Sequence, residues 1–337
     1  MTKEKTSPTI RDVARLAGVS VATVSRYINH NAPLAETTRQ NVQAAMDELN
    51  FSPHLTARNL ATNRTNNLGV VMQNIGGDFF TPLLDGMVSV TQKNGYNLLI
   101  FTGDPPGTQN LNRLGPGNTD GLMVFLDSLE EDCLRSLAQI HHPMVLIQQS
   151  APAGIEIPMV TIENKAGARA EVDHLIEVHG RRRIVFLRGP QGNEDSHWRE
   201  LGYREALANH DIAFDEQLVA DGEYDRYAAL ASLKALIQRG VQFDAVFAAD
   251  DDSAIGVLQA LREADLKVPE QVSVVGFDDQ RLAPFLAPTL TTVHAPTMQI
   301  GMLAAEHLLH LIHKEPVASI TLLPTELVLR HSCGCSE

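Results

Sequence analysis

Between residues 10 and 28 apolar side chains recur at helical spacing, first as Ile10, Val13, Ala14 and Ala17, then as Val24 and Ile28. The i, i+3, i+4, i+7 order of the first set gives one apolar face. Gly18 supplies the left-handed backbone that ends a helix sharply, and Ser20 is placed to cap a second one. The pattern predicts two short helices around a tight turn. The second buries Val24 and Ile28 and exposes Val21, Ala22, Ser25, Arg26 and Asn29. A third helix is predicted over 36–50, with Val42, Ala45, Met46 and Leu49 closing a small core, before Pro53 breaks the chain. The bland reading is a helical hairpin; the sharper one is a helix-turn-helix, whose exposed second helix enters the major groove of DNA.

From Leu68 the pattern changes. Short apolar runs at 68–72, 96–101, 121–125, 144–147, 159–162, 183–187, 245–248 and 272–277 alternate with helical stretches at 82–94, 130–140, 166–178, 198–209, 227–238, 253–264 and 298–313. Strand–helix alternation predicts parallel, doubly wound α/β sheets, and over 250 residues of it predict two lobes facing a cleft. Ligands in such folds sit beyond the carboxyl ends of the strands. The Gly/Pro-rich stretch 103–117 reads as a loop. Residues 54–63 hold good helix formers with little to bury, a helix marginal on its own.

The net charge of −14 argues against a nucleic-acid partner until it is mapped. Residues 1–65 carry eight basic side chains against five acidic ones, so a small basic module is joined to a large acidic one. No apolar run reaches the ~20 residues that span a bilayer, and no signal-peptide core follows the N-terminus; a cytoplasmic protein without a membrane partner is expected. Cys133, Cys333 and Cys335 do not make a disulfide framework.

With these parts in order, the chain resembles the LacI/GalR family of transcriptional regulators over nearly its whole length. The resemblance rests on Asp-Val-Ala-Arg-Leu-Ala-Gly-Val-Ser (12–20), Thr-Val-Ser-Arg (23–26), Phe-Ser-Pro-His (51–54), Ala-Arg-Asn-Leu-Ala (57–61), Asp-Gly-Leu-Met-Val (120–124), Gly-Arg-Arg-Arg-Ile (180–184), Val-Val-Gly-Phe-Asp-Asp (274–279) and Leu-Thr-Thr-Val-His (290–294). It implies an all-α helix-turn-helix domain over 1–53, a hinge helix and linker over 54–66, and a two-lobed, periplasmic-binding-protein-like α/β domain over 67–337. The implied partners are double-stranded operator DNA, a second copy of the chain and a small effector, most simply a carbohydrate.

Arg26 is the candidate base reader, because a guanidinium can bond guanine bidentately. Val21 and Ala22 align with the family's other base-reading positions and can offer only apolar contact, for instance to a thymine methyl. Thr23, Ser25 and Asn29 are assigned to phosphates, which fix register. Leu60 matches the hinge leucine that wedges into the minor groove, with Ala57 allowing close helix packing and Arg58 near a phosphate. Ala35 stands where the family usually places a capping serine, and His54 replaces a common asparagine.

Arg199 and Asp278 match the family's ligand-binding arginine and aspartate, a pair able to bond adjacent sugar hydroxyls or to form an interlobe salt bridge. Phe79, Phe80 and Tyr224 match aromatics lining the cleft, with core packing as the plain alternative. Asp250 stands where an asparagine often meets the ligand, Asp251 is expected to cap the following helix, and Asp252 to be solvated. Asp195 and Glu194 add negative charge nearby, favouring a neutral polyhydroxylated or amine-bearing ligand. The tail from His331 to Cys335 holds two thiols and one histidine, too few for a metal signal, so no metal and no cofactor are expected. The competing readings are a sugar-binding protein or an enzyme with a vestigial DNA-binding domain. There is no Gly-x-Gly-x-x-Gly after the first strand, no phosphate loop and no nucleophile elbow, and no catalytic residue is assigned.

Overall fold

The computed structural model describes residues 8–29, 33–51, 64–102 and 111–336 and divides into two units, Met1–Thr65 and Asn66–Glu337. Ala57, Arg58 and Leu60 lie outside the described residues, as does 103–110. No helix among the described residues is long and apolar enough to cross a membrane.

The first unit contains α1 (Ile10–Ala17), α2 (Val21–Asn29) and α3 (Glu36–Glu48). The Asp12 carboxylate accepts from the Thr9 N–H (3.0 Å) and hydroxyl (2.7 Å), closing the first turn of α1. Gly18 ends it at φ 67°, and the Val19 N–H returns to the Ala14 carbonyl. Ser20 Oγ accepts from the Thr23 N–H at 3.1 Å and starts α2. Ala35 offers α3 no side-chain acceptor. Val13, Ala14, Ala17, Val24, Val42, Ala45 and Phe51 form the core, with Ile28, Met46 and Leu49 packed at its margin. The Tyr27 hydroxyl donates to Gln43 Oε1 (2.6 Å) and ties α2 to α3.

The second unit holds two parallel sheets. One has strand order β11-β5-β4-β3-β1-β2, from β1 (Asn67–Met72), β2 (Asn97–Thr102), β3 (Gly121–Phe125), β4 (Met144–Ile147), β5 (Met159–Ile162) and β11 (Ile320–Leu323). The other has order β7-β6-β8-β9, from β6 (Ile184–Arg188), β7 (Val219–Asp221), β8 (Ala245–Ala248) and β9 (Ser273–Val275). An antiparallel pair, β10 (Thr292–His294) with β12 (Glu326–Val328), makes a third, small sheet. The flanking helices are α4 (Phe80–Lys93), α5 (Leu111–Leu114), α6 (Glu131–Gln139), α7 (Asn164–Glu177), α8 (Glu194–Asn209), α9 (Arg226–Gln238), α10 (Asp251–Glu263) and α11 (Thr297–Ile312).

Four strands go beyond the sequence pattern: β7, β10, β11 and β12. Each is three or four residues long and keeps at least one exposed position, whereas the equally short β4, β5 and β9 keep none, so no buried apolar run marks them in the sequence. β11 pairs with β5, so the chain returns to the first sheet after building the second. The run 272–277 narrows to β9, because the Gly276 N–H turns to the Thr291 carbonyl (3.0 Å) and Asp278 takes φ 104°. One part of the expected 103–117 loop is helical, the turn α5. Helix α8 begins four residues before the expected start, because Asn193 Oδ1 accepts from the Ser196 N–H at 2.9 Å. That cap puts Glu194 and Asp195 in a first turn, where the helix dipole favours negative charge.

One hydrophobic cluster joins Leu68, Val70, Met123 and Val160 of the first sheet to Phe186, Phe247 and Val275 of the second. Burying such side chains contributes roughly 1.5–3 kcal/mol each. Helices α4 and α11 cross at backbone distance: a Cβ on Gly86 would lie 2.1 Å from the Met298 carbonyl oxygen, so only glycine fits.

Candidate functional site

On α2, Val21, Ala22 and Arg26 are exposed while Val24 is buried in the three-helix core. Ala22 and Arg26 are four residues apart and share a face. Thr23 and Ser25 are half-buried on the same helix, and the Thr23 hydroxyl lies 2.9 Å from Ser20 Oγ. Asn29 ends the helix. The base-reading candidates thus stand together on the free side of the second helix, held there by Val24.

The expected effector residues follow the carboxyl ends of strands in both parallel sheets. Their centre is Arg199, which is 3% exposed. Its Nε donates to Asn164 Oδ1 (2.8 Å), one terminal nitrogen to the Ala249 carbonyl (2.5 Å) and the other to Asp278 Oδ1 (3.2 Å). Asp195 Oδ2 lies 4.0 Å away, and the Asn164 amide donates to Asp195 Oδ1 at 2.8 Å. The guanidinium lies 3.8 Å from the Phe277 ring centre and 5.6 Å from that of Tyr224. Arg199, Asp195, Asp278 and Tyr224 are therefore one constellation. Asn164 and Phe277 complete it; sequence reasoning missed both, though Asn164 carries a signal as a polar residue just beyond a strand's carboxyl end.

Asp250 lies beside this group but works locally. In extended conformation its carboxylate accepts from the Ser253 (3.0 Å) and Asp252 (3.2 Å) N–H groups at the start of α10. The helix cap is thus Asp250 and not, as expected, Asp251. Asp251 is buried, accepting from the Thr292 hydroxyl (2.6 Å) and the Gln280 N–H (2.7 Å). Nor is Asp252 merely solvated: it pairs with Arg226 at 2.6 Å. Phe79 and Phe80 pack edge to face at 5.3 Å, and each meets Phe125, at 5.9 and 5.4 Å. They are half-buried against the shared core.

Two contacts join the start of α8, beside the second sheet, to loops of the first sheet. Glu194 accepts from the Ser150 N–H (2.7 Å) and hydroxyl (2.8 Å), and Asn193 donates to Asp127 at 3.4 Å. The Tyr224 hydroxyl donates to Asn193 Oδ1 at 3.3 Å. A chain of polar contacts thus runs from the loop after β3 to the ring beside Arg199.

Burial pushes the Asp195 and Asp278 carboxyls up to about 7, against the pull of Arg199. It also raises Asp250 and Asp251. Folding therefore raises the proton affinity of Asp195 and Asp278. The stability this contributes is full below the unfolded carboxylate value of about 4 and is lost as pH rises through about 7. Urea unfolding of the protein and of Asp278→Asn is expected to show the native chain losing stability relative to the variant between about pH 4 and 7. A pH-independent difference would remove this carboxyl from the account.

Known proteins carry the same two parts. Residues 9–54 match the family model described as bacterial regulatory proteins, lacI family, and residues 172–333 match a periplasmic binding protein-like domain. The HTH-type transcriptional regulator GalR of Escherichia coli (strain K12) is 35% identical over 328 residues, covering 96% of this chain and 95% of that protein. A structure of the transcriptional regulator CelR with cellobiose is 32% identical at TM-score 0.71, covering 96% of this chain and 99% of that one. The Lac repressor dimer bound to operator and the anti-inducer ONPF is 25% identical at TM-score 0.85, covering 97% and 99%. By their descriptions these relatives are regulators or repressors of transcription.

Proposed function

Starting from the fact that this chain belongs to the lacI family of bacterial regulatory proteins, we propose that it is an operator-binding repressor whose DNA affinity is set by a carbohydrate effector held around Arg199. The observation that carries the effector reading is the buried Arg199–Asp278 pair with Asp195 beside it. A guanidinium fork and two carboxyls offer donors and acceptors together, as adjacent sugar hydroxyls require. Phe79, Phe80 and Tyr224 supply ring faces for the apolar side of a sugar. Asp250 contributes by fixing the start of α10. The cellobiose complex of CelR and the operator-bound Lac repressor dimer support the same choice of ligand class, DNA partner and homodimer.

In this reading residues 1–53 read DNA, 54–66 form the hinge, and 67–337 bind effector and dimerise. Arg26, Val21 and Ala22 meet base edges; Thr23, Ser25 and Asn29 meet phosphates; Ala57, Arg58 and Leu60 enter the minor groove. Effector changes the angle between lobes, through contacts such as Glu194–Ser150, and so moves the paired hinges. Such coupling between sites is typically about 5–150-fold in affinity.

A thermal-shift panel of mono- and disaccharides tests this. A binding sugar is expected to raise the melting temperature and to change operator affinity, read by fluorescence anisotropy, within about the 5–150-fold range. A chain that binds its operator but responds to no sugar in either assay would overturn the carbohydrate effector while leaving the DNA-binding role standing.

A further inference from the structure

We propose that His174, His179, Cys333 and Cys335 form a tetrahedral site for a thiophilic divalent cation, zinc by preference, which fastens the C-terminal tail to α7. One ligand atom from each residue lies within 4.8 Å of the others. The Nε2 atoms of His174 and His179 are 3.2 Å apart. Cys335 Sγ lies 3.4 Å from His174 Nε2 and 3.5 Å from His179 Nε2, and Cys333 Sγ lies 3.7 Å from His174 Nε2. A tetrahedron with metal–sulfur bonds of about 2.3 Å and metal–nitrogen bonds of about 2.0 Å has edges of about 3.3 Å between nitrogens and about 3.5 Å between sulfur and nitrogen. These four distances are four of the six edges of the tetrahedron and match those lengths, and the remaining two, from Cys333 Sγ to Cys335 Sγ and to His179 Nε2, lie within 4.8 Å. Two thiolates with two imidazoles is a donor set of structural zinc sites.

The backbone holds this arrangement in place. Ser332, between the site and His331, donates from its hydroxyl to the Val274 carbonyl (2.6 Å) and accepts from the Thr291 N–H (2.8 Å). The Cys333 carbonyl accepts from the Ser273 hydroxyl at 2.7 Å. Gly334 stands at φ 116°, and a Cβ there would lie 3.0 Å from His179 Nδ1, so glycine lets both thiols turn towards the imidazoles. The Thr291 hydroxyl donates to Cys333 Sγ at 3.1 Å, the outer support expected of a thiolate ligand. His331 is not part of the group; its Nδ1 lies 3.1 Å from the Thr289 hydroxyl. His174 and Asn164 lie on one helix ten residues apart, about 15 Å along its axis, so the site is separate from the effector group.

Full-length protein, stripped of metal and kept reduced, tests the proposal by titration with Co2+ and then Zn2+. One Co2+ per chain is expected, giving the intense visible bands of tetrahedral coordination and a near-ultraviolet thiolate charge-transfer band, both lost on adding Zn2+. Zinc is expected to raise the melting temperature of the metal-free chain. Cys335→Ser and His179→Gln alter half-buried positions, and each is expected to lower Zn2+ affinity by about a hundredfold or more, since loss of an outer-shell partner alone costs about 10–100-fold. A weak octahedral cobalt spectrum, binding untouched by both variants, or closure of a Cys333–Cys335 disulfide in zinc-treated protein would overturn the proposal.

Discussion

Arg199→Ala is expected to abolish the effector response and to destabilise the second unit by about 3–5 kcal/mol, because it strips a buried charge from its partners. Asp278 and Asp195 lose their counter-charge, Asn164 loses the Nε donor, and the Ala249 carbonyl loses its bond. Domains of this kind have about 5–15 kcal/mol in hand, so the variant still folds. The deficit carries a pH signature. At acid pH both carboxyls are protonated and need no cation; above about 7 they are not, so the deficit grows as pH rises. Urea titrations at two pH values separate this account from simple loss of packing against Phe277, which would be pH-independent. Arg199→Lys keeps a charge but loses the fork, and is expected to recover stability more than sugar binding. An unaltered sugar response in Arg199→Ala would remove Arg199 from the effector site.

Arg26→Ala is expected to cost about 1–3 kcal/mol at one operator base pair and to leave affinity for unrelated DNA nearly unchanged. The reason is geometric. Arg26 is exposed on α2, one turn from Ala22, and Val24 on the buried side fixes that face outwards. Competition between operators mutated one position at a time would show the preference relaxed at a single site. Should Arg26 meet a phosphate instead, the loss would be uniform over all sequences, and the slope of log affinity against log salt would shallow by about one.

The first unit was legible from sequence almost to the residue. Its helices are local, Gly18 and Ser20 are its stop and start signals, and its core recurs at helical spacing, so neighbours in sequence decide the structure. The alternating strands and helices of the second unit were legible for the same reason. So were the positions of Arg199 and Asp278 beyond strand ends, through their resemblance to a family pattern, while Asp195 was read only as negative charge nearby.

Other features depend on contacts made far along the chain. Which aspartate of the 250–252 run caps α10 follows from backbone direction at Asp250 and from Thr292, 41 residues away, drawing Asp251 inwards. Strand β11 exists because β5 presents an open edge. Two thiols at the tail meet two imidazoles some 160 residues earlier because Ser332 and Ser273 anchor the last turn beneath α7. Sequence by itself determined what periodicity and capping can encode: the helical reader, the doubly wound sheets and the identity of the charged side chains. The tertiary structure alone decided which charges lose water together and which soft ligands converge, because burial and proximity belong to the packed chain and not to any stretch of it.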